Sequence, residues 1–334
     1  MSKLSVAAVG LGDLGRLECH VVDSIDGVEL VGGADPSPDA RDAFEHELGR
    51  PAFDSHEELL DAVDADAAVV SSPHAFHYDH AVACLDRGIH VHLEKPMVTD
   101  LADARALIRQ ARREGLVLAV GYQRHFDRRF REMRRLIDDG RIGDPHMVTC
   151  HLEQNWVDWN RDRWRGDPAL SGGGQLYDSG SHLLDVLCWT TRAAPVDVAA
   201  TMDYRDADVD VNAALAVTLD RNGDRLLASV GVSGDGPSGP APGEALQILG
   251  TEGSLSFDGE TVRVVEAGTT YEATPPEPGF EELTERKLEN FVAAVRGEED
   301  LEIPATDALN VTALTEAAYE SAESGRRVAV DTDV

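Results

Sequence analysis

The chain has 334 residues, enough for two domains that each bury a core, and 42% of it is hydrophobic, which excludes a wholly disordered polymer. Asp and Glu number 62 against 30 Lys and Arg, a formal charge of −32. A surface this acidic repels phosphate backbones and anionic headgroups, so the expectation is no nucleic-acid partner and no membrane partner.

Lysine is scarce: Lys3, Lys95 and Lys287 are the whole supply, and every other strong base is arginine. Acid excess together with lysine poverty reads as adaptation to concentrated salt, where the Debye length falls to about 3 Å and dense carboxylates keep the surface hydrated. Cys19, Cys84, Cys150 and Cys188 lack paired spacing, so neither a disulfide framework nor a zinc site is expected. The N-terminus enters an apolar strand at once, and no apolar run is long enough to span a bilayer. These features together predict a soluble, cytoplasmic protein.

In chain order, Leu4–Val9, Val28–Ala34, Ala67–Ser71, Ile89–Leu93 and Leu116–Val120 are short, β-branched and bounded by turns, so they read as buried strands. Between them run segments of helical period, with Leu14, Leu17 and Val21 on one face and Leu101, Ala104, Leu107, Ile108 and Ala111 on another. Alternation of this kind predicts an α/β, doubly wound parallel sheet of Rossmann type over residues 1–122. Residues 123–334 predict a second, α+β domain around an open, largely antiparallel sheet. An arginine-rich helix at Phe126–Asp139 opens it and reads as a charge-paired face. Strands follow at Met147–Leu152, Val196–Tyr204, Ala213–Asp220, Leu226–Val232, Ala245–Leu249, Ser254–Phe257 and Thr261–Val265. A helix near Tyr177–Thr191 interrupts them, helices at Glu281–Arg296 and Thr306–Ser324 close the chain, and Ser233–Gly243 reads as a surface loop.

Gly10-Leu11-Gly12-Asp13-Leu14-Gly15 follows the first strand and opens the first helix. Its glycines permit a tight turn and close approach of backbone to a pyrophosphate, and the helix N-terminus supplies free N–H groups. Asp35 ends the second strand, where a carboxylate binds both ribose hydroxyls. That carboxylate repels a 2′-phosphate, and Pro36-Ser37 adds no cation, so NAD is expected ahead of NADP, with Arg41 the cation that keeps NADP open. Asp13 sits awkwardly beside a pyrophosphate and is expected to cap the helix, with Arg16 offsetting its charge.

Further motifs follow. Ser72-Pro73-His74 with His77 succeeds the fourth strand, and Glu94-Lys95-Pro96 ends the fifth. Gly172-Gly173-Gly174 precedes Asp178-Ser179-Gly180-Ser181-His182 and Asp185. In this order they make the chain similar, over its whole length, to the glucose–fructose oxidoreductase/inositol dehydrogenase (Gfo/Idh/MocA) family. The resemblance implies a nicotinamide domain, a sheet domain with the substrate cleft between the two, and Lys95, Asp178 and His182 as the catalytic set. It also implies that Ser72, Pro73, His74, His77, Glu94, Lys95, Gln123, Trp164 and Arg165 line the cofactor, and that Arg124 stands near the substrate.

Chemistry agrees with that set. Oxidising a secondary alcohol moves a hydride to the nicotinamide and a proton to a base, and histidine suits that proton near neutrality. Asp178 and His182 are four apart on a predicted helix and so share a face, where the carboxylate orients the imidazole. Lys95 stands at the carboxyl end of a parallel strand, where open α/β sheets place ligands, and its ammonium stabilises an alkoxide. Trp156 and Trp159 read either as sugar-stacking faces or as core, and Trp156 joins Arg124, Lys95, Asp178 and His182 as a candidate substrate residue. His74, His77 and His80, and His90 with His92, lack an accompanying metal-site spacing, so no metal is expected.

The expected activity is NAD(P)-dependent oxidation of a sugar, cyclitol or related polyol at a secondary hydroxyl or hemiacetal carbon, by an enzyme that is a dimer or tetramer of identical chains. Two alternatives stay open: a glycoside hydrolase that works through transient oxidation by a retained NAD, and a non-catalytic nucleotide- or sugar-sensing protein.

Overall fold

A computed structural model describes residues 3–237 and 243–334. Its contacts divide the chain into a first unit, running to Gln123 and taken up again at Gly279–Ala308, and a second unit of Arg124–Pro278 with Leu309–Asp333. Residues 279–308, expected from sequence within the second domain, therefore pack with the first.

The first unit runs β1 (Leu4–Val9), α1 (Asp13–Ser24), β2 (Val28–Ala34), α2 (Pro38–Leu48), β3 (Ala52–Phe53), α3 (His56–Ala62), β4 (Ala67–Val70), α4 (His77–Leu85), β5 (His90–Leu93), α5 (Leu101–Glu114) and β6 (Leu118–Val120). Its six strands are all parallel in the order β3-β2-β1-β4-β5-β6, the doubly wound order that the strand–helix alternation predicts. The two-residue β3 has no apolar run of its own and was invisible to periodicity.

The second unit carries α6 (Arg128–Asp138), β7 (Pro145–Glu153), α7 (Trp156–Asn160), α8 (Pro168–Ser171), α9 (Ser179–Thr191), β8 (Ala194–Asp203), β9 (Asn212–Arg221), β10 (Asp224–Ser233), β11 (Gly243–Gly250), β12 (Gly253–Phe257), β13 (Val262–Glu266) and β14 (Thr269–Ala273). Beyond these come α10 (Phe280–Val295), α11 (Ala305–Ser324) and β15 (Val328–Ala329). The nine-stranded sheet has the order β14-β13-β12-β11-β7-β10-β9-β8-β15 and is antiparallel except where β10 meets β7. The loop expected at Ser233–Gly243 falls partly on residues 238–242, which lie outside the described residues.

Alternation along the central strands sends Val148, Cys150, Leu152, Leu226, Ala228 and Val230 into the core. The opposite face carries rows fixed by strand register: Leu249, Met147 and Leu227; Gln247, Thr149 and Ser229; Ala245, His151 and Gly231, with Ala214 and Ala216 of β9 alongside. None of these residues has a formal charge, and Leu227 and Leu249 are exposed.

Helix α10 explains the return of the chain to the first unit. Leu288, Phe291 and Val292 pack with Val6, Val22, Val28, Ala67, Val69 and Ala119, so α10 lies beside α1 on one sheet face. The same inner stripe carries Lys287. Its ammonium, 1% exposed, lies 2.7 Å from Glu18 of α1 and pairs with Glu94 at the end of β5. Glu18 in turn accepts the hydroxyl proton of Ser71, just past β4.

Burial and the charge of Glu94 push the Glu18 carboxyl above the usual carboxylate range, while Lys287 holds Glu94 below it. Removing one partner of a buried ion group strands the others, so K287M should cost about 3–5 kcal/mol in urea unfolding. R286A, which breaks the half-exposed Arg286–Glu282 pair, should cost at most about 1 kcal/mol. A raised carboxyl binds a proton that the unfolded chain has already released, so its stabilisation is complete at acid pH and is lost as pH rises through its folded pKa. The stability of wild type relative to E18Q should therefore fall between about pH 5 and pH 8. A constant difference across that range would show that Glu18 titrates like an ordinary carboxylate.

Candidate functional site

In the first unit, the glycine loop joins β1 to α1. Gly10 has φ +92°, a left-handed value, and a Cβ on Gly15 would overlap the Gly10 carbonyl, so the loop and helix close on each other only through glycine. Gly12 is different: its missing Cβ faces open space. It is the N-cap of α1, and no side chain caps the helix there, which leaves first-turn N–H groups and the helix dipole for an anion. Asp13 is not the cap that its sequence position suggests. It is the first helical residue, fully exposed and 3.1 Å from Arg16, and a capping carboxylate would have taken the donors that a pyrophosphate needs. Leu11 is buried and Leu14 half-buried, anchoring the loop.

Asp35 is fixed from two sides. Its Oδ2 accepts the Leu11 N–H at 2.8 Å and its Oδ1 the Ser37 N–H at 2.8 Å. The carboxylate thereby ties the glycine loop to the exit of β2 and is oriented before any ribose arrives.

The other loops of this unit form at the ends of β4, β5 and β6. Past β4, Ser72 and His74 are buried, and the fully buried His77 lies between the carbonyl oxygens of Ser72 (2.8 Å) and Pro96 (2.9 Å). It joins the Ser72-Pro73-His74 turn to the Glu94-Lys95-Pro96 turn, whose Lys95–Pro96 bond is cis. Burial lowers the His77 pKa. Lys95 is half-buried, and its N–H donates to Glu94 Oε2 at 3.2 Å. The Glu94 carboxylate is thus engaged inside the protein by Lys287 and the Lys95 amide. Gln123, just past β6, is 9% exposed, and its Oε1 has no hydrogen-bond partner among the described residues. An amide oxygen orphaned in this way, together with the open first turn of α1, fits a nicotinamide dinucleotide.

No group of histidine, cysteine or carboxylate side chains that could hold a metal occurs among the described residues. His90 accepts the Val117 N–H at 2.9 Å, His80 lies 2.9 Å from the Ser72 hydroxyl, and His92 is buried against Phe291. Burial pushes His92 down to about 3 and His80 down to about 4, so both are neutral packing groups. The four cysteines are buried and free.

The second unit assembles around the triple glycine. Asp210 is buried, and its two oxygens accept the Gly174 N–H (2.6 Å) and the Leu176 N–H (2.8 Å), while the Tyr319 hydroxyl donates to the first of them. A Cβ on Gly174 would collide with the Asp210 backbone. This clamp sets the start of α9. Asp178 is the N-cap residue, one position before the helix and not on its face, and it makes no cap bond through its side chain. Its Oδ2 accepts from the Trp156 indole N–H at 2.8 Å and lies 3.2 Å from the Arg165 guanidinium. His182 follows on the first turn of α9, half-buried.

Several expected residues therefore gather on Asp178. Trp156 is 2% exposed, packed with Val157, Val209 and Val211, and it supports the carboxylate from the core. Arg165 lies over the Trp164 ring at 4.3 Å and reaches Asp178. Arg124 pairs with Glu244, whose side chain is 9% exposed. Trp159 stays 51% exposed beside Arg163. Of the arginine-rich helix, Arg129 pairs with Asp127 and Arg135 with Glu132, as a charge-paired face would. Asp185 accepts from the buried His125 ring, which stacks on Trp189.

Lys287, Asp210 and Tyr319 were missed. A signal existed for Lys287: it is one of the chain's three lysines, and it lies between Leu283 and Phe291 on the apolar stripe of its helix. Asp210 had none, lying in an acid-rich run.

Residues 4–122 match the model of an oxidoreductase family with an NAD-binding Rossmann fold, and residues 130–256 match the GFO/IDH/MocA C-terminal domain. The rhizopine catabolism protein MocA of Rhizobium meliloti is 26% identical, covering 96% of this chain and 95% of its own. Inositol 2-dehydrogenase of Rhizobium meliloti is 24% identical over 96% and 98%. Among solved structures, GenD2 from gentamicin A biosynthesis, in complex with NAD, superposes with a TM-score of 0.86 at 25% identity, over 99% of this chain and 97% of its own.

W156F removes the Trp156 donor together with part of a buried ring, so its unfolding is measured beside its kinetics. Asp178 held by one donor fewer is positioned less firmly, so W156F should lower kcat/KM at least about tenfold. The loss should fall on kcat more than on nucleotide binding, read by steady-state kinetics beside a nucleotide titration.

Proposed function

The chain belongs to the Gfo/Idh/MocA family of oxidoreductases, and from that premise we propose that it oxidises a secondary hydroxyl or hemiacetal carbon of a sugar, cyclitol or related polyol. The observation that carries this reading is the Asp178 carboxylate, held at a fixed place by Trp156 and Arg165 one helical turn before His182. A fixed anion followed by an imidazole suits a substrate rich in hydroxyl groups, and the likeness to inositol 2-dehydrogenase supports that class.

In the proposed reaction His182 accepts the hydroxyl proton as general base. The Lys95 ammonium stabilises the alkoxide as it forms, and Asp178 orients substrate hydroxyls and favours the imidazolium state of His182. The nicotinamide, when bound, supplies the acceptor for the hydride and its two electrons. First-turn N–H groups of α1 would hold its pyrophosphate, Asp35 its ribose, and Gln123 its carboxamide. Asp35 favours NAD over NADP.

We further propose that the chain works as a homo-oligomer in concentrated salt. Burying carboxylates at a contact costs desolvation that salt does not screen away, an uncharged surface avoids that cost, and the open sheet face centred on Thr149 and Ser229 provides one.

Purified protein supplied with inositols, aldoses and sugar acids should form NADH, faster in molar salt than in dilute buffer. H182A should lower kcat by at least about 100-fold, and near-wild-type turnover in H182A would refute its role. Released glycone with no net NADH would point to the hydrolase chemistry instead. S229R, which sets a charge in the middle of the uncharged face, should shift light-scattering mass toward the monomer, and an unchanged mass would exclude that face as the contact.

A further inference from the structure

A guanidinium lies beside the carboxylate assigned to the adenosine ribose. Arg41, on α2, donates from Nη1 to the Asp35 carbonyl at 2.7 Å, and its Nη2 lies 2.6 Å from Asp54 Oδ1. Asp54 directly follows β3, whose Phe53 carbonyl accepts the Asp35 N–H at 3.1 Å. Ser37 caps α2 here, its Oγ accepting the Ala40 N–H. A helix start, a hydroxyl and an arginine are the groups that would bind a phosphate on the ribose 2′ position. In this chain they stand among two carboxylates. Arg41 is committed to Asp54, and the three side chains Asp35, Arg41 and Asp54 together carry one net negative charge. The Arg41 side chain is 20% exposed and Asp54 71%, so the pair sits where a ligand phosphate could compete for the arginine.

We propose that Asp54 acts through Arg41 to set the discrimination between NAD and NADP. Held by Asp54 and by the Asp35 carbonyl, Arg41 offers a 2′-phosphate no uncommitted charge, and Asp35 repels it. Without Asp54, the guanidinium keeps its anchor beside Asp35 and gains a free N–H edge for the phosphate. The inference deepens the nucleotide reading and rests on it. Asp35 excludes the phosphate directly, whereas Asp54 withholds an arginine that would welcome it.

The test is a mutant cycle read by direct titration of NADH and NADPH into the full chain, by ligand fluorescence, at one fixed ionic strength where all variants are folded. Wild type should bind NADH more tightly than NADPH. D54N should raise the NADPH:NADH affinity ratio about fivefold, the size expected when a largely exposed ion pair is released to a new partner. In the R41A background, D54N should give less than half of that gain. An equal gain with and without Arg41 would mean that Asp54 acts only by repulsion, and no gain at all would mean that it plays no part; either result overturns the proposal. Folded wild type that binds neither nucleotide would overturn the nucleotide-site reading as well, whereas tight NADH binding with an unchanged ratio in D54N overturns this proposal alone.

Discussion

One ammonium sets the geometry of the nucleotide-binding unit. Lys287 is sealed between Glu18 and Glu94, and each carboxylate reaches a different part of the sheet. Glu18 holds Ser71 past β4, and Glu94 holds the Lys95 amide past β5. Glu94 also lies so close to Gly121, past β6, that a Cβ there would strike its carboxyl group. The ends of three strands are therefore registered against one buried cation. Desolvating such a group is expensive, and the cost is offset only while all of its partners are present. A guanidinium is larger and planar, and its five-donor fork would demand more room than a compact ammonium between these two carboxylates. That requirement explains a lysine at 287 in a chain that otherwise places arginine almost everywhere.

The second unit meets a similar demand without a cation. Asp210 is buried, yet backbone N–H groups and the Tyr319 hydroxyl hold it. Burial raises both the Asp210 and Tyr319 pKa values. Hydrogen bonds here shape a turn, and the turn delivers Asp178 to the start of α9. Asp178 then receives its own donors from Trp156 and Arg165. The two carboxylates differ in purpose: Asp210 is spent on backbone, whereas Asp178 is held by side chains at the helix mouth.

Much of this was legible from residues alone. Period-2 and period-3.6 patterns located most strands and the helices α1, α5, α6, α9, α10 and α11, because burial on one face writes itself into the sequence, but they did not mark α2, α3, α4 or β14. The glycine motif and Asp35 were readable because each does a local job at a fixed spacing. Asp13 was misread because capping propensity names the residue type but does not say whether the helix end must stay open for a ligand. Asp178 was placed on the helix because spacing does not reveal where the first turn begins. Lys287 pairs across almost two hundred residues with Glu94, and Tyr319 bonds Asp210 across more than a hundred. Partnerships that distant leave no local pattern.

The return of residues 279–308 to the first unit also bears on how the chain is made. Strands β1 to β6 leave the ribosome early, but the face beside α1 stays uncovered until α10 emerges. During that interval Val6, Val28 and Val69 lack Leu288, Phe291 and Val292 as packing partners, and Glu18 and Glu94 have no lysine to answer them. The nucleotide-binding unit therefore cannot close its core until most of the second unit has been synthesised, and the order of synthesis is not the order of completion. A protein begun at its N-terminus finishes that domain almost last.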